Sequence, residues 1–491
     1  MTKQETVIKY ITENYLEYNR LRHDVISDKL QLRMDMRSDR PTGCQKSDHF
    51  VAGAGTALSD SLFPTANAIS DPTVSDANGL TSCSEAFSER ERSVWHEMTK
   101  QDINSIVCHC AQEYDTNITS REVITALQSD LIPDVHPLRE YILSLRPYTP
   151  DQPDWIDFVA QQVRIADNAG SGVQEFRSSG VTSKHLNSKA SELPNISSAD
   201  RLWRGCFKKW FVAMVASWMK DEVVNHQVLV LIGKQGIFKT TWLEHLIPPH
   251  LRAYACKLAN SNDLNKDERL RIAEFGLISL DEIDSMNNRE LNQLKSVITA
   301  TDVNERAAYA YTKERRVRLA SFCASGNRRD FLTDITGNRR WLPFEVESIQ
   351  NPFYTILPYE RMYAQAWALA QDPLFSYWFD LDEIEVLERH NQYFRDESNE
   401  EQLLPILFDV PAEGKGEFMT TAQISERLVT YGNIKKPMAL GRLGVLMGSM
   451  GYRSVTRGNR QARLRGWIVY QRDTEEIAAN KKLLAKECVT V

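Results

Sequence analysis

A glycine-containing stretch that ends in lysine and threonine lies near the middle of the chain, in VLVLIGKQGIFKTTWLEHL (228–246). It follows most of the pattern G-x-x-x-x-G-K-[ST], which is typical of phosphate-binding loops. In such a loop, backbone N–H groups and a helix N-terminus bind phosphate, the lysine pairs with the β- and γ-phosphates, and the hydroxyl ligates Mg²⁺. The stretch therefore predicts phosphate-binding chemistry, and its candidate binding residues are Gly233, Gly236, Lys239, Thr240 and Thr241.

The loop departs from the pattern at one position, where Phe238 replaces the second glycine. If φ is positive there, a bulky residue costs on the order of 1–3 kcal/mol, and we expect Gly236 to take part of that burden by shifting the turn. The flanks have the required context, because VLVLI predicts a buried parallel strand and KTTWLEHL predicts a helix. Two alternatives follow: a working nucleotide site, or a loop that binds nucleotide without turnover.

Three further elements follow the loop in the order that P-loop ATPases use. FGLISLDEID ends an apolar strand in Asp281, expected to hold hydrated Mg²⁺, and Glu282, expected to polarise the attacking water. Asn327 follows the strand VRLASFCASGN and is a candidate sensor. Arg339 or Arg340 is a candidate arginine finger for the γ-phosphate of a neighbouring subunit. The alternatives are an ordinary acidic strand end and a solvated arginine pair.

These motifs, read together, resemble the virulence-associated protein E family. The run LIGKQGIFKTTWL…LISLDEID…SFCASGNRRDFLTDITGNRRWLPFEV carries the likeness, which is strongest over about 200–346. The family is similar to superfamily 3 helicases and viral primase-helicases of phages and mobile elements. The resemblance implies an α/β P-loop NTPase core of AAA+-like type, ATP and Mg²⁺ as cofactors, and a homo-oligomer in the form of a hexameric ring.

The same resemblance implies a DNA-gripping hairpin between the acidic strand and the sensor strand, within 295–318. Basic and aromatic residues are interleaved in that stretch, as on surfaces that track a phosphate backbone and stack bases. The alternative is a solvated hairpin with core tyrosines. The candidate DNA contacts are Lys295, Arg306, Lys313 and Arg315, with Tyr309, Tyr311 and Arg316 beside them.

The C-terminal stretch 419–472 reads as two helices followed by two strands around a basic turn. This order predicts a winged-helix-like domain. The whole chain has a net charge of −7, so a nucleic-acid surface has to be a local basic patch. A protein contact is the alternative role for this segment. The candidate DNA-binding residues are Arg457, Arg460 and Arg463, supported by Arg453 and Arg465.

Composition and segment boundaries complete the predicted organisation of the 491 residues. The N-terminus MTKQETVIKY has no signal-peptide pattern and no apolar run is long enough to span a membrane, so we expect a cytoplasmic protein. We predict an N-terminal helix and short extended pair over 1–37, a flexible insertion over 38–90, a helical region over 91–167, a flexible linker over 168–200, the P-loop NTPase core over 201–348, a helical region over 349–414, the winged-helix-like domain over 415–473 and a C-terminal tail over 474–491.

The functional hypothesis is an ATP-dependent DNA helicase or translocase of a phage or mobile element, acting in DNA replication. Its expected partners are single-stranded or forked DNA, further copies of the chain, and a separate primase, since no priming constellation is recognisable. The first alternative is a DNA-binding initiator or regulatory protein whose P-loop binds nucleotide without hydrolysis. The second is a defence-related NTPase of a mobile element.

Overall fold

A computed structural model of the chain describes residues 2–34, 94–166, 197–258, 266–305, 314–332, 338–411, 416–458 and 463–478. The α-helices are α1 (Lys3–Ile11), α2 (Lys100–Tyr114), α3 (Ser120–Leu127), α4 (Pro137–Ser144), α5 (Trp155–Ala160), α6 (Ser198–Met219), α7 (Lys239–His245), α8 (Lys266–Glu274), α9 (Asn288–Thr299), α10 (Tyr359–Gln371), α11 (Leu381–Gln392), α12 (Asn399–Leu407), α13 (Thr421–Gly432) and α14 (Leu440–Ser449).

The strands are β1 (Leu21–Asp24), β2 (Lys29–Met34), β3 (Val94–Glu97), β4 (Asp134–Val135), β5 (Val163–Ile165), β6 (Val228–Ile232), β7 (Ala255–Leu258), β8 (Leu277–Leu280), β9 (Asp302–Glu305), β10 (Glu314–Val317), β11 (Ser321–Gly326), β12 (Trp341–Ile349), β13 (Phe408–Asp409), β14 (Glu417–Met419), β15 (Arg453–Arg457) and β16 (Leu464–Gln471). The chain divides into two compact units, Met1–Val135 and His136–Val491.

The first unit is a small sheet packed with helices. Its strands have the order β3-β2-β1-β4, and the predicted extended pair over 21–33 forms the antiparallel hairpin β1–β2. Its core includes Val7 and Ile11 from α1, Ile106 from α2 and Val123 from α3. The predicted flexible insertion over 38–90 lies outside the described residues.

The described part of the predicted helical region over 91–167 contains four helices, α2 to α5, and also three short strands that the prediction did not include. β3 pairs with β2, β4 pairs with β1, and β5 pairs with the end of β12. Such short strands carry little periodic signal of their own, and pairing with distant partners decides their conformation. Residues 168–196 of the predicted linker lie outside the described residues. The last part of the predicted linker already belongs to α6, because Ser197 caps the start of that helix.

The second unit is built around a six-stranded sheet with the order β5-β12-β6-β11-β8-β7. Five of these strands are parallel to one another: β12, β6, β11, β8 and β7. The sixth, β5, pairs antiparallel with β12 at the edge of the sheet. Their apolar sequences suit strands that are covered on both faces, and every residue of β6 is buried. The chain order reverses at β6, with β11 on one side and β12 on the other. In open parallel sheets, ligands bind at such a switch point.

Helix α6 is buried around almost its whole circumference. Trp203, Trp210 and Trp218 are each no more than 1% exposed, and their indole N–H groups donate to backbone carbonyls. The Trp210 indole donates to the carbonyl of Phe322 on β11, and that of Trp218 donates to the carbonyl of Gly276 just before β8. These bonds fix α6 against the strands that carry the candidate site.

The C-terminal region contains α13 and α14 followed by the antiparallel pair β15–β16, to which β14 also adds. The predicted order of helix, helix and two strands is therefore confirmed, and the winged-helix assignment stays a prediction. Leu428, Leu443, Leu446 and Trp467 form its core. The predicted tail starts with a helical turn over 474–478, and its remainder is outside the described residues. None of the described helices combines the length and apolar character needed to cross a membrane.

Candidate functional site

The carboxyl ends of β6, β11 and β8 meet at one edge of the central sheet. Parallel pairing aligns Ile232 at the end of β6 with Gly326 at the end of β11, and Ala324 with Leu280 at the end of β8. The segments that follow these strands are the phosphate-binding loop, the sensor segment and the acidic pair. Three motifs that are far apart in the sequence therefore converge, because the sensor strand lies between the other two.

The phosphate-binding loop turns tightly from β6 into α7. A Cβ atom on Gly233 would stand 2.7 Å from the carbonyl oxygen of Val346 on β12, so only glycine allows this approach. Gly236 has φ +85°, and Phe238 has φ 68° and ψ 18°, in the left-handed region. The strain predicted for a bulky residue at position 238 is therefore present. Helix α7 begins directly afterwards at Lys239, so its first N–H groups face the loop.

Lys239 is held inside the loop and is only 7% exposed. Its Nζ donates to the carbonyls of Gly233 at 2.8 Å and Lys234 at 2.7 Å, and to Asn327 Oδ1 at 3.3 Å. Burial lowers the pKa of Lys239, against the opposing charges of nearby carboxylates. The ammonium group and the predicted sensor amide thus share one location, which is where a bound phosphate would face both.

Thr240, Ser325 and Asp281 form a compact hydrogen-bonded group. Asp281 Oδ1 accepts from Ser325 Oγ at 2.7 Å and from Thr240 Oγ1 at 3.2 Å, and the two hydroxyls are 2.8 Å apart. Asp281 Oδ2 pairs with Lys257 Nζ of β7 at 2.8 Å. Burial acts to raise the pKa of Asp281, but the bonds from Lys257 and Ser325 hold it below its ordinary value. The carboxylate is therefore ionised at neutral pH.

This group has the chemistry that Mg²⁺ requires. Mg²⁺ takes oxygen ligands, and proteins bind it through one or two carboxylates together with substrate phosphates. The Thr240 hydroxyl and the Asp281 carboxylate supply such oxygens beside the phosphate loop. Among the described residues there is no cluster of three or more His, Cys, Asp or Glu side chains able to hold a metal. The residues thus fit a magnesium ion shared with a nucleotide.

Glu282 lies at the same edge with an exposed side chain and a left-handed backbone, φ 52° and ψ 49°. Two residues later, the Asp284 carboxylate accepts the backbone N–H groups of Asn327 and Arg328, both at 3.1 Å. The acidic segment therefore holds the segment after the sensor strand in place. Glu282 and Asn327 therefore follow neighbouring strands at the same edge of the sheet.

Three residues of this arrangement were not predicted from the sequence: Ser325, Asp284 and Lys257. The signals for the first two stand within the quoted motifs, since Ser325 is two positions before the sensor asparagine and Asp284 ends DEID. Lys257 has no local signal, because its importance arises from the pairing of β7 beside β8. Only the sheet order brings its ammonium group to Asp281.

Arg339 and Arg340 are not at this edge. They form a short 3₁₀ turn before β12, whose first residue Trp341 pairs with Val228 at the start of β6. The loop is at the other end of β6, roughly 13–16 Å away at the rise of a strand. Burial lowers the pKa of His226, and the positive charges of both arginines contribute, which agrees with this location. Neither arginine therefore lies beside the phosphate loop of its own chain.

The predicted hairpin between the acidic and sensor strands is present as the antiparallel pair β9–β10. Arg315 on β10 is exposed and pairs with Asp302 on β9. Lys295 lies on α9, the helix that leads into the hairpin. Arg306 and Lys313 lie outside the described residues, as does the whole stretch 306–313 that joins the two strands.

Several exposed arginines of the C-terminal region lie on or beside the β15–β16 pair. Arg457 and Arg463 are exposed, and Arg460 lies outside the described residues. The guanidinium of Arg457 stands over the Phe418 ring, 4.7 Å from its centroid. Helix α14 instead exposes Leu440 and Val445. Its outer face therefore combines these apolar side chains with the exposed Arg442.

Comparison with known proteins supports the resemblance stated from the sequence. The virulence-associated protein E-like domain matches residues 182–401, which confirms that resemblance. A search of curated proteins found no match. The apo structure of the NrS-1 C-terminal region (305–718) is 9% identical, with a TM-score of 0.41, covering 96% of this chain and 100% of that one. The A-form apo structure of that region is 10% identical, with a TM-score of 0.38, covering 77% and 92%.

Proposed function

We propose that this chain, which carries a virulence-associated protein E-like domain over residues 182–401, is a Mg²⁺-dependent ATPase that acts on DNA as a helicase or translocase. Its setting is the replication of a phage or other mobile element. Lys239 and the N-terminus of α7 bind the phosphates. Thr240 and Asp281 hold the metal, which supplies charge neutralisation at the transferring phosphoryl group when bound. Glu282 orients and polarises water, and Asn327 contacts the γ-phosphate.

One observation carries this proposal: at the carboxyl edge of the parallel sheet, Lys239 hydrogen-bonds to Asn327, and its neighbour Thr240 hydrogen-bonds to Asp281. Phosphoryl transfer needs little covalent chemistry from the protein and depends on positioned charges and oxygen ligands. A cation for phosphate beside a polar sensor, next to a ligand pair for magnesium, satisfies that need. A purely structural role would not require a buried lysine turned inward to its own loop.

The DNA part of the proposal is supported by exposed arginines on or beside two strand pairs, β9–β10 and β15–β16. Arg315 lies on β10 of the first pair. Arg457 lies on β15 of the second pair, and Arg463 directly precedes β16. Exposed cations on hairpins suit contact with a phosphate backbone, which is insensitive to base sequence and weakens with salt. The β15–β16 pair with α13 and α14 is proposed to be a winged-helix-like module that helps to load DNA.

The ring is proposed because the arginine finger has to come from a neighbouring copy. Arg339 and Arg340 are at the far end of β6 from their own phosphate loop, so in this chain they reach a nucleotide only in trans. Mixing two inactive variants tests this directly. Lys239→Ala subunits mixed with subunits that carry Arg339→Ala and Arg340→Ala should regain hydrolysis in the mixed assembly, because one interface then has an intact loop and an intact finger. No recovery from co-assembled subunits would argue against action in trans.

Steady-state ATP hydrolysis, with and without single-stranded DNA, tests the proposed function. We expect Mg²⁺-dependent turnover that DNA stimulates and that Lys239→Ala abolishes. Equal turnover in the wild type and in the Lys239→Ala variant would show that the phosphate-binding loop is not the site of hydrolysis.

A second candidate is a DNA-binding initiator or regulator that binds nucleotide without hydrolysing it. Phe238 favours it, because a bulky residue with φ 68° stands where the loop motif has glycine. Under this alternative, ATP binds through Lys239 and changes assembly or DNA affinity, but no phosphate is released. The hydrolysis assay distinguishes the two candidates on the same protein sample.

A further inference from the structure

Phe238 is a strained residue with a ring directly beside the phosphate-binding loop. Its left-handed backbone is unfavourable for a bulky side chain, and it immediately precedes Lys239 at the start of α7. Strained residues of this kind concentrate at functional sites, where the surrounding structure holds them. The ring is half-buried. The contacts of the Phe238 ring therefore indicate why the strained backbone is present.

The ring of Phe238 packs against Phe353, which follows β12 and is at the same edge of the sheet. The two ring centroids are 6.4 Å apart, with planes at 82°. His245, two turns along α7, contacts Phe353 in the same manner, at 5.7 Å and 86°. Phe353 is thus in contact with Phe238, which precedes α7, and with His245 on α7, yet its side chain is still 68% exposed.

The segment that carries Phe353 is held in a defined conformation. Asn351 accepts the N–H of Phe353 through its side chain at 3.0 Å and the N–H of Tyr354 through its backbone at 3.1 Å. The hydroxyl of Tyr359, at the start of α10, donates to the carbonyl of His245 at 2.7 Å. Both ends of the segment are therefore tied down, and the exposed ring is preorganised.

An exposed, fixed aromatic ring beside a phosphate site suits one ligand group in particular. A nucleotide bound by its phosphates at the N-terminus of α7 carries its base beyond the loop, and aromatic side chains bind bases by stacking. We propose that Phe353, braced by Phe238 and His245, is the stacking platform for the base of the nucleotide whose phosphates Lys239 and Thr240 hold. This inference rests on the proposed function. Since stacking is sequence-tolerant, the platform should accept adenine and guanine alike.

Calorimetric titration with ATP and with inorganic tripolyphosphate tests the platform, because tripolyphosphate has the phosphates without the base. We expect Phe353→Ala to weaken ATP binding about tenfold, within the range for base–aromatic stacking. Tripolyphosphate binding should change less than about twofold, because this ligand makes only the phosphate contacts and has no base to stack on Phe353. Phe353→Trp should restore ATP binding. Tyr354→Ala is the matched control, since Tyr354 is adjacent and 87% exposed, and it should leave both ligands unchanged.

Each other result overturns the platform. Equal ATP affinity in wild type and Phe353→Ala would show that no base stacks there, and parallel losses of ATP and tripolyphosphate would show a general disturbance of the loop. Equal losses in Phe353→Ala and Tyr354→Ala would remove the assignment to Phe353. If wild-type protein binds neither ligand, the proposed function fails and the platform fails with it. If it binds both and the Phe353 ring makes no difference, only the platform fails.

Discussion

Two segments of the candidate site, the phosphate-binding loop and the end of the acidic strand, differ in what their strained backbone supports. Phe238 in the loop has φ 68°, and Glu282 after β8 has φ 52°. The remaining non-glycine residues with positive φ in the described part of the chain are Asn19, Asp28, Asp115 and Asn433. Asn and Asp tolerate this region well, whereas phenylalanine and glutamate do not. The costlier cases therefore both lie at the sheet edge where the motifs converge.

The two strained residues differ in what their side chains can do: Glu282 offers a carboxylate for chemistry, and Phe238 offers a ring for packing. At Glu282 the left-handed turn leaves a carboxylate exposed beside Asp281, where it is available to water. At Phe238 the same backbone region carries an apolar ring that braces Phe353. Removing the first side chain should therefore affect turnover, and removing the second should affect base contact and stability.

Glu282→Gln should lower ATP turnover by about 100- to 1,000-fold, in the range of a lost general base. Nucleotide affinity should stay within about threefold of wild type, because binding depends on Lys239, Thr240 and Asp281. Hydrolysis under saturating Mg-ATP and a parallel binding titration measure the two quantities. An unchanged rate would end the assignment of Glu282 as the water-polarising residue and would leave its strain without a catalytic reason.

Ser325→Ala should lower the free energy of unfolding by about 1–2 kcal/mol, because a buried hydroxyl that joins Thr240 to Asp281 is lost. It should also raise the Mg²⁺ concentration needed for tight ATP binding by several fold, as the ligand pair loses its brace. Ser279→Ala is the matched control, since Ser279 is also 3% exposed and lies on β8 outside this hydrogen-bonded group. Identical Mg²⁺ dependence in both variants would count against the bracing role.

At low pH, protonation of the Asp281 carboxylate should remove its contribution to the free energy of unfolding. Its pKa in the folded protein is held below the ordinary 3.8, so the carboxylate stabilises the fold at pH values above that figure. The contribution is lost as pH falls through the lowered folded value. The melting-temperature difference between wild type and Asp281→Asn should therefore be constant near neutrality and shrink in strong acid. A difference that grows on acidification would contradict the sign of the shift.

The smallest effect concerns the backbone at position 238. Phe238→Gly and Phe238→Ala both remove the ring, but alanine keeps the left-handed penalty. Glycine should therefore be the more stable of the two by about 1 kcal/mol, measured by thermal or denaturant unfolding. Equal stabilities would mean that the loop relaxes out of the left-handed region once the ring is gone. In that case the backbone at position 238 would not be strained independently of its ring, and Phe238 would no longer be comparable with Glu282.

The core of the site was predictable because strand, loop and helix motifs carry local signals. A run such as VLVLI, a following loop and a helix that starts at Lys239 are specified by residues close in sequence. Parallel pairing then requires the ends of such strands to share an edge. The position of Asn327 beside Lys239 is an example of what these signals are enough to predict.

The remainder depends on partners that the sequence does not name. Lys257 reaches Asp281 only because β7 pairs beside β8, and β3 is a strand only because β2 is next to it. The position of Arg339 at the far end of β6 follows from the register of β12, which no motif encodes. The platform at Phe353 was missed for the same reason, since its contacts join residues more than a hundred positions apart in the chain.

The most direct test of the account is calorimetric titration of Mg-ATP into wild-type protein and into Lys239→Ala. If the sheet edge binds nucleotide as proposed, wild type should bind at a single site per chain and the variant should lose about 100-fold or more in affinity, since a charge-assisted phosphate contact in a buried loop is removed. Equal binding by the two proteins would contradict the account, because nucleotide would then be held somewhere other than the loop.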